Sequence, residues 1–127
     1  MIFWGKHAVV DVLECNLARA RDPVYIADFV HELVKQIDMV PYGEPQVVHC
    51  ADNTEKAGWT VIQLIETSSI VGHFLDANGD LYLDVFSCKD YDPMTVKKVI
   101  ERFFSPKNID IRMMYRDAKE GAFNVKN

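Results

Sequence analysis

Apolar residues fall into runs of two different periods along this chain, and the order of the runs repeats. Residues 7–14, HAVVDVLE, and 45–50, PQVVHC, read as strands. Between them Asp22-Pro23 predicts a helix start, with aspartate as the cap and proline at the first helical position, where its missing N–H costs nothing. Ile26, Phe29, Val30, Leu33, Val34 and Ile37 then follow the i, i+3, i+4, i+7 spacing, so one face of this helix must be buried. The second half offers GWTVIQLIE, SIVGHFL and DLYLDVFSC as consecutive antiparallel strands, with Asn78-Gly79 as a turn signal between the last two. Asp92-Pro93 repeats the helix start, and Val96, Val99, Ile100, Phe103 and Phe104 form its apolar stripe. In NIDIRMMY, Ile109, Ile111, Met113 and Tyr115 alternate with polar or charged neighbours, which predicts a closing strand. The polar tail after Arg116 is expected to fray.

This order predicts an α+β fold, a two-layer sandwich in which a mainly antiparallel sheet carries two helices on one face. No Pro/Gly/Ser-rich linker interrupts it, so residues 1–127 are expected to form a single domain. The least periodic segment is 44–57, where ADNTEKAG reads as a polar loop. The second sheet face is left uncovered. In so small a domain such a face is covered by a ligand or a second subunit, and a homodimer is expected.

Charge narrows the partners. With 19 acidic against 14 basic residues, a net charge of -5 and no Lys/Arg block, a nucleic-acid groove or an anionic membrane surface is disfavoured, and small molecules or proteins are the favoured partners. There is no run of about 18 apolar residues and no signal-peptide pattern, so a cytoplasmic protein is expected. Cys15, Cys50 and Cys88 are odd in number and far apart, which predicts free thiols rather than disulfides or a metal site.

GxGxxG, GxxxxGK[ST], HExxH and GxSxG are all absent. What remains is a spaced set of reactive side chains in the second half: Thr60, Ser68, His73 and Cys88. A hydroxyl, an imidazole and a thiol can together supply a nucleophile, an acid/base and a proton donor. Taken alone, the serines of residues 63–74, QLIETSSIVGHF, would read as a polar turn.

The set resembles the prokaryotic-type pyruvoyl-dependent S-adenosylmethionine decarboxylases. GKH at Gly5–His7, Glu14-Cys15 and DVFSC at Asp84–Cys88 are similar to that family's strands. The family also has a serine followed five residues later by histidine and fifteen after that by cysteine, with a hydroxyl residue eight before the serine. Counting back from Cys88 gives His73, Ser68 and Thr60 without a gap, and selects Ser68 over Ser69. The pattern departs from the family's at Thr67, usually glutamate, and at Leu75 and Ala77, usually tryptophan and glutamate.

The resemblance implies autocatalytic cleavage between Thr67 and Ser68 through an N-to-O acyl shift and β-elimination. A β-chain of residues 1–67 and an α-chain of 68–127 would result. Ser68 would become a pyruvoyl cofactor that takes the substrate amine as a Schiff base. His73 would be the acid/base of processing, Thr60 would support it by hydrogen bonding, and Cys88 would return a proton to the decarboxylated carbon. The implied substrate is S-adenosylmethionine, whose decarboxylated product donates the aminopropyl group for spermidine. Ornithine or arginine as substrate, or an uncleaved homologue acting as a dimer partner or regulator, are the alternatives. Glu14, on the first strand, is a candidate contact to a cationic substrate, and Phe74, beside the altered positions, is a second binding candidate. No metal is implied.

Overall fold

Both cap-plus-proline pairs begin helices. In a computed structural model, which describes residues 2–119 and 121–126, helix α2 spans Pro23–Gln36 and the Asp22 carboxylate accepts from the Val24 and Tyr25 backbone N–H groups. Helix α3 spans Pro93–Phe104, with Asp92 accepting from Met94 N–H. A single turn, α1 (Leu17–Ala20), precedes them. It is too short to show an apolar period, and it is capped by Asn16, whose side chain accepts from Arg19 N–H.

The strands are β1 (Gly5–Leu13), β2 (Gln46–Cys50), β3 (Gly58–Ile65), β4 (Ser68–Leu75), β5 (Leu81–Ser87), β6 (Asn108–Asp117) and β7 (Gly121–Lys126). They form one sheet in the order β2-β3-β4-β5-β1-β6-β7, and all six pairings are antiparallel. The expected α+β two-layer architecture is therefore present, with one strand more than the sequence suggested. The chain past Arg116 is not frayed: β6 continues to Asp117 and β7 pairs with it from Gly121, which sits at φ 84°. An edge strand is held by backbone hydrogen bonds, and side-chain polarity does not reveal those.

Register decides which residues meet the helices. Val12, Val10 and Ala8 on β1 stand opposite Leu81, Leu83 and Val85 on β5, which in turn stand opposite Phe74, Gly72 and Ile70 on β4. With Val61 and Ile65 of β3 and the inner faces of α2 and α3, these residues make the core. Phe29, Phe74 and Phe104 lie at its centre, with Phe29 edge-on to both other rings. The other sheet face carries no helix, and Val48, Ile62, Leu64 and Tyr82 are exposed on it. That open face is what the two-helix pattern predicts.

Candidate active site

β3 and β4 are joined by only two residues, Glu66 and Thr67, with Ile65 and Ser68 as the closing pair. Two-residue hairpins favour turns whose central residues have positive φ, usually Gly or Asn. Neither Glu66 nor Thr67 has positive φ; the unusual torsion falls on the next residue, Ser68, at φ 155°. That value lies in a region that residues with a Cβ rarely occupy, and such strain persists only where the surroundings enforce it. It has a chemical consequence. The Cβ of an L-residue is offset by about 120° from its carbonyl carbon about the N–Cα bond, so Ser68 Cβ stands roughly 35° from eclipsing the Thr67 carbonyl carbon. At an ordinary extended φ near -120° the same torsion is about 120°, and the hydroxyl is carried away from that carbon. The distortion thus brings the Ser68 Cβ, which carries the hydroxyl, toward the carbonyl that precedes it.

That carbonyl is polarised as well. The oxygen of Thr67 accepts a hydrogen bond from the backbone N–H of Cys88 at 3.0 Å, a donor placed where negative charge would develop if a nucleophile added to the carbon. Cys88 is half-buried just past the end of β5, and Ser68 stands opposite Ser87 in the register. Serine, the carbonyl before it and the cysteine thus meet at one end of the sheet. Gly5 closes the same end: a Cβ there would lie 2.9 Å from the Phe86 ring, so the glycine of GKH is what lets Phe86 lie across β1.

Thr60 and His73 are brought together elsewhere. They face each other across β3 and β4, and Thr60 Oγ1 is 2.8 Å from His73 Nδ1. His73 Nε2 lies 2.8 Å from the Lys56 carbonyl. A carbonyl only accepts, so Nε2 carries a proton and, in the neutral ring, Nδ1 accepts from the Thr60 hydroxyl. The pair stands on the open face. Ser68 is five residues back along β4, about 16 Å of strand at about 3.3 Å per residue, and its register position belongs to the opposite face. In the single chain His73 and Ser68 are therefore not in contact.

The two binding candidates are not at this place either. Phe74 is fully buried against Phe29 and Phe104, because the alternation of β4 turns it toward the helices, so it is a core residue and offers a substrate no surface. Glu14 follows the far end of β1, the end away from Ser68; it has φ 52°, and its N–H donates to Asp80 Oδ1. Other histidines have carboxylate partners. His7 Nε2 lies 2.9 Å from Asp84 Oδ1, and His49 contacts both Asp52 and Asp76. The links to Asp84 and Asp76 join residues far apart in the chain, and nothing in the local sequence signals them. An open cleft of about 560 Å³ lies at the Ser68 end, walled by Trp4, Phe86 and Arg116. Arg116 lies 4.7 Å over the Phe86 ring.

Fold and site define a class of molecule: a two-layer antiparallel chain with a serine at positive φ directly after a carbonyl that accepts a backbone hydrogen bond. The profile of the S-adenosylmethionine decarboxylase family matches residues 6–117, and the chain belongs to that family. Relatives in two strains of Clostridium botulinum, each named S-adenosylmethionine decarboxylase proenzyme, are 22% identical over 117 residues, covering 91% of this chain and 97% of theirs. The crystal structure of the adenosylmethionine decarboxylase from Aquifex aeolicus aligns over 91% of this chain and 92% of its own, with a TM-score of 0.75 at 20% identity, a likeness of fold.

Proposed function

We propose that this chain is a self-processing proenzyme that cleaves itself between Thr67 and Ser68 and then decarboxylates S-adenosylmethionine, supplying an aminopropyl donor for spermidine synthesis. The observation that carries the reading is the torsion of Ser68 beside a Thr67 carbonyl already hydrogen-bonded to Cys88. In the first step Ser68 Oγ adds to the Thr67 carbonyl carbon, its proton passes to the amide nitrogen, and the C–N bond breaks to leave an ester. Loss of the Ser68 Cα proton then expels the Thr67 carboxylate. Hydrolysis of the dehydrated residue releases ammonia and leaves a pyruvoyl group heading an α-chain of residues 68–127, with a β-chain of 1–67.

When formed, that group supplies the electron sink a decarboxylation needs. The residues around position 68 fit it: the Cys88 N–H is aimed at the scissile peptide, and the thiol of the same residue would return the proton to the decarboxylated carbon. Thr60 fixes the ring of His73, which is the proton carrier on the open-face side. Trp4 and Phe86 give the cleft an aromatic surface for the purine of the substrate. A homodimer that buries the open face would cover Val48, Ile62, Leu64 and Tyr82, and equilibrium sedimentation giving the mass of one chain would refute it. We place the protein in the cytoplasm; none of the described helices is long and apolar enough to cross a membrane.

Intact-mass spectrometry of the purified protein tests the central claim. Two fragments meeting at Thr67/Ser68 are expected, the C-terminal one blocked and lighter than a simple hydrolysis product by one ammonia. A single uncleaved chain after prolonged incubation would sink it. Carbon dioxide release from S-adenosylmethionine, ornithine and arginine then separates the substrate readings.

A further inference from the structure

Only two polar side chains are fully buried among the described residues, and one of them, Ser87, lies against the proposed scission point. A hydroxyl in a core is unfavourable unless it is bonded. Ser87 Oγ lies 2.7 Å from Thr67 Oγ1, accepts from Lys89 N–H at 2.9 Å, and lies 3.6 Å from Met39 Sδ, which is 3.5 Å from Thr67 Oγ1. Lys89 N–H donates to Ser87, and either hydroxyl can donate to the other while the second donates to the Met39 sulfur, so every donor is satisfied in both directions.

These bonds bear on one torsion. The last residue of β5 and the residue after it hold Thr67 twice, by its side chain through Ser87 and by its carbonyl through the Cys88 N–H. The pairing of β4 with β5 holds the other side, since Ser68 and Ser69 stand opposite Ser87 and Phe86. The strained Ser68 N–Cα bond is the joint between two anchored segments. Without such anchors the torsion would fall back to the extended region and carry Ser68 Cβ away from the Thr67 carbonyl carbon.

Resting on the self-cleavage reading above, the geometry points to Ser87 as a positioning residue for that reaction. It acts through the hydroxyl of Thr67, the residue that stands where the family usually has glutamate.

The test is the time course of chain cleavage, read by intact mass, with thermal midpoints measured in parallel. Ser87→Ala is expected to slow cleavage at least tenfold, and Thr67→Val, which keeps the shape and loses the hydroxyl, to slow it comparably. The double variant should be no slower than either single one, because both remove the same bond. Ser87→Thr, which restores a hydroxyl, should recover most of the rate. Wild-type speed in Ser87→Ala or Thr67→Val would overturn the assignment while leaving self-cleavage standing, as would a Ser87→Thr variant as slow as Ser87→Ala, since bulk rather than the hydroxyl would then be at issue. A wild-type chain that never cleaves would remove both readings together.

Discussion

Strand β4 has two unlike ends. At its start, Ser68 sits in a torsion that its own Cβ disfavours, and hydrogen bonds tie the turn before it to the end of β5. Five and six residues on, the strand is relaxed: His73 has a partner at each ring nitrogen and Phe74 fills the core. The contrast separates two uses of polar groups. At the first end, hydrogen bonds tie down the turn beside an unfavourable torsion, and at the second they satisfy side chains that are already at ease.

The largest expected effect falls at the strained end. Ser68→Ala should abolish cleavage, whereas Ser69→Ala, on the neighbouring and unstrained position, should cleave at close to the normal rate; a mass spectrum showing the reverse would move the scission point by one residue. Next comes the packed end. Phe74→Ala should destabilise the fold by about 3–5 kcal/mol in a denaturant titration, and a loss under about 1 kcal/mol would mean that Phe74 is not the core residue described above.

A smaller effect is expected at Thr60. Thr60→Val removes the hydroxyl that orients His73, a bond contributing about 1 kcal/mol net, so chain cleavage should slow several-fold with little change in thermal midpoint. An unchanged cleavage rate would show that Thr60 has no part in processing.

The smallest effect lies in the loop flanking the relaxed end. Asp76, and after it Asp52, hold the pKa of His49 above its ordinary value. A raised folded value means that the stabilisation is full below the unfolded histidine pKa of about 6.5 and is lost as pH rises through the folded one. The loop between β2 and β3 should therefore exchange its amide hydrogens faster at pH 8.5 than at pH 6, after correction for intrinsic exchange. Asp76→Asn should lower the His49 pKa in an NMR titration; an unmoved titration curve would refute the pairing.

Much of this was legible beforehand because it is local. Asp22-Pro23 and Asp92-Pro93 act through bonds within one helical turn, so two helix starts could be read directly. The alternation that buries Ile70 and Phe74 follows from strand geometry alone. The same reasoning applied to β4 would have excluded Phe74 from a binding surface, because it shares parity with Ile70. The four-position spacing of Thr60, Ser68, His73 and Cys88 was visible, and so was the family. Strand β7 was not, since its pairing is made by the backbone.

Sequence by itself determined the elements, the apolar faces and the reactive residue types, because those depend on near neighbours and on the family pattern. Only the tertiary structure decided which of the reactive residues meet. It put Cys88 N–H on the Thr67 carbonyl and Ser87 on the Thr67 hydroxyl, and it left His73 on the other face. The reason is register: a shift of one residue between β4 and β5 would exchange the two faces and undo every one of these contacts.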